Sequence, residues 1–260
     1  MDATLLGRAT GGPLEARPAT RPASTPDDLE IRWLGRVPYR EAWAMQHELV
    51  AARAAGRIPD QLLLLEHPPV LTLGRSADPA FVRVGPDELA RRGLELIRTE
   101  RGGEVTYHGP GQLVAYPILR LSERHLMVRP LVRLLEAAMR DTCAAFGVDG
   151  DRRDGFPGCW VDRAAAMPRK IGALGVRIER GVTYHGIALN VTVELAAFDL
   201  IEACGLPGVT VTSIARELGR LDAAPSTASV HEAAETFGSA FRGLLGAFAP
   251  QAALPPDPGA

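Results

Sequence analysis

At 260 residues the chain is long enough to bury one substantial core with ragged ends. A hydrophobic share of 46% with 23% charged residues is the balance of a globular protein, and a formal net charge of −2 supplies no global pull toward nucleic acid or anionic lipid. No apolar run approaches the roughly 20 residues that would span a bilayer, and the N-terminus lacks the basic-then-apolar layout of a secretory signal, so a cytoplasmic setting is expected.

Residues 1–28 are rich in Pro, Ala, Gly and Arg without periodicity and read as a disordered leader; the Pro-rich stretch 250–260 reads as a disordered tail. Residues 29–249 are expected to form the folded body. The stretch 29–35 alternates apolar and polar positions, a strand pattern. A helix is predicted after Pro38 through about Ala55, closed by Gly56. Residues 62–65 and 70–74 read as short buried strands, separated by an extended turn that Pro68 and Pro69 enforce. Strands at 105–107 and 112–118 flank the glycine-rich turn 109–111. A helix over 128–146 places Leu131, Leu134, Leu135, Ala138, Met139 and Thr142 on one face. Residues 171–179 and 182–193 read as a hairpin closed near Arg180 and Gly181, and 209–214 as a strand or loop edge. A final helix is expected to start at Ser229, with Glu232 completing a capping box. Several strands, some antiparallel, with three good helices predict an α+β sheet protein. Nucleotide-phosphate cradles of the Rossmann or Walker type are missing from the sequence.

The chemistry-bearing residues stand out for different reasons. Lys170 is the only lysine, every other basic side chain of that class being arginine. Codon bias explains such a depletion, and the single asparagine, Asn190, fits it. Yet arginine holds its proton at neutral pH whereas a lysine in an apolar site can titrate, so a lone lysine is also a candidate for a place needing a titratable amine. The cysteines Cys143, Cys159 and Cys204 are scattered, with no CxxC pair or Cys/His set to suggest zinc, and free thiols in a reducing compartment are expected. Cys143 reads as a small core residue and Cys159 as packing beside a pocket. Cys204, followed by Gly205, is the best candidate nucleophile, because the glycine leaves the thiol open to a substrate carbonyl; an inert buried thiol is the bland alternative. A free thiol, with a pKa near 8.5, needs a cation or base beside it, and Lys170, His108 and His185 are the available partners. The pentapeptide VTYHG occurs twice, at 105–109 and 182–186, as either two strand edges delivering His108 and His185 to one cleft or two unrelated strand ends.

At this point the motifs become recognisable. RGGEVTYHGPGQLV at 101–114, LEHPPVLTLGR at 65–75, KIGALG at 170–175, HGIALNV at 185–191 and ACGL at 203–206 with VTSI at 211–214 occur in order. They resemble the lipoyl(octanoyl) transferase family, the octanoyl-[acyl-carrier-protein]:protein N-octanoyltransferases, over roughly residues 29–219. The resemblance implies an α/β sheet domain like that of biotin and lipoate protein ligases. It implies that Cys204 carries the acyl group and that Lys170 lowers the thiol pKa and relays protons. It puts acyl contacts at Arg101, Gly102, Gly103, Glu104, Val105, Thr106, Tyr107 and His108, at Ala173, Leu174 and Gly175, and at Gly186, Ile187 and Ala188, with His185 shaping the pocket. Two departures are Leu71, where the family has an aromatic residue, and Cys159 in the element GCWV at 158–161.

The implied reaction moves octanoyl from acyl carrier protein to a lysine of a lipoyl domain, the first step of endogenous lipoate synthesis. The acyl group arrives on phosphopantetheine, so no metal or cofactor of the enzyme's own is expected. The implied partners are acyl carrier protein, the lipoyl domains of 2-oxoacid dehydrogenase E2 subunits and the glycine cleavage H protein, met by a monomer without nucleic acid or membrane. Arg152, Arg153, Arg163 and Arg169 are candidates for docking an acidic carrier. The alternatives are an ATP-dependent lipoate or biotin ligase-like enzyme, against which the CGL element speaks, and a non-catalytic binder of lipoyl domains, against which the retained Cys204 and Lys170 speak. A cysteine hydrolase fits the ordered motifs less well.

Overall fold

In the computed structural model the described residues are 29–162, 164–202, 209–220 and 227–248. The expected leader and tail, Cys204 and Arg163 lie outside them. The largest sheet runs in the order β1 (Leu29–Arg36), β2 (Asp60–Glu66), β6 (Gln112–Ile118), β10 (Val182–Asn190), β9 (Arg169–Glu179), β8 (Phe156–Val161) and β7 (Gly150–Arg153). The β1–β2 pair is parallel and the other neighbours along this path are antiparallel. A second sheet holds β4 (Glu95–Arg98), β3 (Val70–Leu73) and β5 (Val105–His108), with β3 in the middle. The expected α+β class is the one observed.

The sequence of β2 explains the layering. Its four consecutive leucines are all buried, which a strand achieves only when both faces are covered. Leu62 and Leu64 join the core formed with α3 (Val128–Ala145) and α5 (Thr227–Ala247), while Leu63 and Leu65 meet the opposite layer around α1 (Tyr39–Ala54). The stripe that α1 buries is unusual, because Gln46 and Arg53 sit in it. Both are polar side chains with assigned partners: Gln46 accepts the His185 backbone N–H at 2.7 Å, and Arg53 pairs with the fully buried Asp60 at 2.6 Å. A helix read from apolar spacing alone would leave both in water.

Most expected elements appear within a residue or two. Gly56 sits at φ +69° just past α1, as the predicted stop requires. Cys143 and Cys159 are both buried in the core. Three readings change. Helix α5 is under way at Thr227, two residues before Ser229, so Ser229 lies inside the helix and is not its cap. Strand β10 ends at Asn190, after which the N–H groups of Val191 and Thr192 both turn to the Gly111 carbonyl. The strand or loop edge expected over 209–214 narrows to β11 (Thr210–Val211), which pairs in parallel with Arg169 and Lys170, and Ile214 already opens a short helix, α4 (Ile214–Glu217). The edge pair β7–β8, together with β4 and α2 (Pro86–Arg91), was not legible as regular structure, because strand β7 reads Gly-Asp-Arg-Arg, with no apolar alternation.

Candidate active site

A cavity of about 480 Å³ lies over the β9–β10 ladder, within the range of small-molecule sites. Its floor is made of small residues on the strand positions that face away from α3 and α5: Ala173 pairs with Ala188 and Gly175 with Gly186. At this crossing no side chain has room. A Cβ at Gly186 would overlap the Ala115 carbonyl oxygen, and one at Gly175 would stand 2.5 Å from the Gly102 carbonyl oxygen. The loop 101–103 is therefore laid directly on β9, and Gly102 N–H donates to the Val176 carbonyl at 3.3 Å.

Lys170 enters from the end of β9 and is 8% exposed. Its ammonium donates to the Pro157 carbonyl at 3.1 Å and lies 5.0 Å from the centre of the Trp160 ring. Gly158 makes that path possible. It sits at φ +130°, and a Cβ there would stand 2.9 Å from Lys170 Cε. The Lys170 backbone is clamped by the Thr212 N–H, which donates to its carbonyl at 2.9 Å. Cys204 belongs to the stretch 203–208 outside the described residues. The described chain leaves at Glu202, whose N–H donates to the Phe81 carbonyl, and returns at Val209, just before Thr210 and Val211 pair with Arg169 and Lys170.

Behind the cavity runs a hydrogen-bond chain whose directions are fixed by its members. Arg101 donates through Nε and Nη2 to Thr72 Oγ1, at 3.2 and 2.9 Å, and through Nη2 to the Thr72 carbonyl at 2.6 Å. The Thr72 hydroxyl is left to donate to His108 Nε2 at 3.3 Å. His108 Nδ1–H donates to Gln112 Oε1 at 2.8 Å, since the Gln112 amide donates to the Tyr107 carbonyl and to Asn190 Oδ1. Asn190 Nδ2 then donates to the Thr212 carbonyl at 2.9 Å, and so the chain reaches the segment that clamps Lys170. The lone asparagine has a place that only a donor–acceptor amide fills. His67 is fixed in the same manner, donating from Nδ1 to the Val37 carbonyl and accepting from the Tyr116 hydroxyl. Burial pushes the His67 pKa down to about 4 and that of His108 well below the usual histidine value, so both are neutral at physiological pH.

Of the residues singled out in the sequence, Lys170, Arg101, Gly102, Gly103, Glu104, Val105, Thr106, His108, Ala173, Leu174, Gly175, His185, Gly186, Ile187 and Ala188 all line this cavity. Tyr107 does not. Alternation along β5 turns it to the other side, where it packs edge-on against Phe198 in a separate apolar cluster. Of the four arginines offered for docking, Arg163 lies outside the described residues; Arg169 is paired with Asp162 and Glu217, Arg152 with Asp154, and Arg153 stacks on Phe156 and Trp160. Sequence reading missed Tyr39, Tyr116, Val132, Val176 and the turn 155–157 in the lining. Only the GCWV element pointed near that turn; Tyr39 gave no signal beyond its place at a helix start.

The family model for the lipoyl protein ligase A/B catalytic domain matches residues 38–242. The chain belongs to this family. Among curated relatives of the lipoyl protein ligase A/B family, the octanoyltransferase of Chloroflexus aurantiacus is 49% identical over 205 residues, covering 78% of this chain and 89% of the relative. The octanoyltransferase of Corynebacterium efficiens is 42% identical and covers 93% of both chains. Among solved structures, a bipartite lipoate protein ligase from Thermoplasma acidophilum aligns with a TM-score of 0.55 at 16% identity, covering 83% of this chain and 91% of that one. Lipoate-protein ligase A bound with ATP aligns with a TM-score of 0.53 at 17% identity, covering 84% and 93%. These likenesses show a shared fold. No helix among the described residues is long and apolar enough to cross a membrane.

Proposed function

We propose that this chain is an octanoyltransferase of lipoate synthesis, moving an octanoyl group from the phosphopantetheine thioester of acyl carrier protein to a lysine of a lipoyl domain through Cys204. The observation that carries the reading is the placement of the only lysine at one end of a slot floored by Ala173, Gly175, Gly186 and Ala188, in a chain 42–49% identical to proteins named octanoyltransferase. A slender alkyl chain can lie against such a floor, and each buried methylene contributes about 0.8 kcal/mol.

In this reading the Cys204 thiolate attacks the thioester carbon, and collapse of the tetrahedral adduct expels the carrier thiolate, which takes a proton from the Lys170 ammonium. The amine of the target lysine then attacks the acyl-cysteine. It passes its proton to Lys170 while the Cys204 thiolate leaves, so the enzyme returns to its starting state without nucleotide. The two histidines of the repeated motif are neutral, and His108 has both ring nitrogens engaged. This supports Lys170 as the proton carrier and His108 as a positioning residue. Support for the Cys204–Lys170 pairing comes from the ACGL motif and from the parallel pairing of Val211, just downstream, with Lys170.

The test is a transfer assay with octanoyl-acyl carrier protein and a lipoyl domain, without nucleotide, read by mass spectrometry of the domain. Octanoylation of one lysine is expected. Transfer that needs free octanoate and ATP would overturn the reading in favour of a ligase.

A further inference from the structure

A second cavity of about 480 Å³ opens between the 3₁₀ stretch Leu195–Leu200 and β11. A narrow gap of about 20 Å³ lies between it and the acyl slot. Thr106, Lys170, Ala173 and Ala188 line both the gap and the slot, while Phe198 and Val211 line both the gap and the second cavity. Lys170 therefore stands at a waist between two roomy spaces. Their walls differ in chemistry. The slot is floored by alanine and glycine, whereas the second cavity is lined by Arg83, Asp199, Thr210 and Arg216. Arg83 and Arg216 are exposed, and neither has an ion pair among the described residues, in contrast to Arg152 and Arg169. Their backbones are pinned: Arg83 N–H donates to the Leu200 carbonyl at 2.8 Å, and Arg216 N–H to the Ser213 hydroxyl at 3.2 Å. Glu217, beside Arg216, is taken by Arg169, which leaves Asp199 as the one carboxylate among the described lining residues. Two cations against one anion give this cavity an excess of positive charge.

We infer that this second cavity takes the pantetheine arm of the acyl donor, with Arg83 and Arg216 holding its phosphodiester. The inference rests on the acyl-transfer reading of the slot and assigns residues to the other half of the same donor. The shape of that donor matches the order of the spaces. An acyl thioester and the two methylenes next to its sulfur are unbranched, which is what a narrow gap beside Lys170 admits. The dimethyl carbon, the hydroxyl and the phosphodiester of the arm are bulkier and need the wider cavity. The phosphodiester ties the arm to the carrier's surface, so its charge stays near the outside. Two exposed guanidinium groups can meet it there, each offering a fork of N–H donors to phosphate oxygens. Asp199 can accept from the amide N–H groups or the hydroxyl of the arm, which gives the one carboxylate a use beside a phosphate.

The test uses full-length enzyme, a lipoyl domain and three donors without nucleotide: octanoyl-acyl carrier protein, octanoyl-phosphopantetheine and octanoyl-pantetheine. Wild type is expected to use octanoyl-phosphopantetheine with a kcat/KM roughly tenfold higher than octanoyl-pantetheine, the gain lying in KM. Arg83→Ala and Arg216→Ala should each shrink that ratio, and the double variant should bring it close to one. Arg83→Lys and Arg216→Lys, which keep the charge but lose the fork, should restore part of it. Both small donors are read on the same preparation, so any loss of folded enzyme cancels from the ratio. A wild type with no preference for the phosphate, or a ratio that stays the same in the double variant, would overturn the inference while leaving acyl transfer standing. So would variants impaired only with octanoyl-acyl carrier protein, since the arginines would then touch the carrier's surface and not the phosphate. Wild-type enzyme that transfers octanoyl from none of the three donors would overturn both.

Discussion

The two copies of VTYHG are identical in sequence and opposite in use. In the first, on β5, Thr106 and His108 face the cavity side and Tyr107 turns away to Phe198. In the second, on β10, Thr183 is buried in backbone hydrogen bonds, Tyr184 bonds to Glu100, and His185 swings into the cavity at a positive φ. The first histidine has both ring nitrogens occupied; the second has neither. The glycines differ too. A Cβ at Gly109 would press on the Tyr107 ring, a side chain, whereas one at Gly186 would meet the rigid backbone of Ala115. Five residues set local preference, but the neighbouring strand decides what each side chain touches.

The largest expected effect is on the pH dependence of stability. In the unfolded chain His67, His108 and His185 take up protons near pH 6.5, while in the fold burial holds all three pKa values down, His67 to about 4 and His185 to about 3. The unfolded state therefore binds more protons below pH 6.5. Stability should be flat above pH 7 and fall as pH drops toward 4, by up to about 1.4 kcal/mol per pH unit for each histidine. Denaturant melts across this range measure the slope. His108→Gln should remove one histidine's share from it, and an unchanged slope would contradict the burial argument.

Next in size are the glycines. Gly186→Ala should cost about 3 kcal/mol, since either β6 or β10 must move, and Gly109→Ala clearly less. Equal losses in chemical unfolding would erase the contrast between the two copies. Thr183→Val should cost about 1–2 kcal/mol, because the Thr183 hydroxyl donates to the Pro117 carbonyl at 2.6 Å and accepts from the Leu119 N–H at 2.9 Å. Thr106→Val, at the cavity wall, should change stability by less than about 0.5 kcal/mol and act on KM instead.

Most of the main sheet and helices α3 and α5 were legible because their apolar spacing agrees with their burial, whereas α1 was legible from the Pro38 and Gly56 that bound it. The pair β7–β8 was not, because an edge strand needs little apolar alternation, and Arg53 and Gln46 were hidden because a helix wheel cannot foresee a buried Asp60 or the His185 backbone as partner. Lys170 could be picked out as the only titratable amine side chain. Its path past Gly158 to the Pro157 carbonyl could not, since it depends on how β8 and β9 pair. The motif around residues 101–108 lies along the cavity wall, but it did not say which side Tyr107 would take.

The central claim is that the acyl group rides on Cys204 with Lys170 moving the protons. The most direct measurement is intact-protein mass after mixing the enzyme with octanoyl-acyl carrier protein without ATP, for wild type, Cys204→Ser and Lys170→Arg. The account predicts an octanoyl adduct on wild type that hydroxylamine removes, no such adduct on Cys204→Ser, and slowed formation on Lys170→Arg. A wild-type enzyme that transfers octanoyl to a lipoyl domain yet never carries a hydroxylamine-labile adduct, or a Cys204→Ser variant with undiminished transfer, would contradict it.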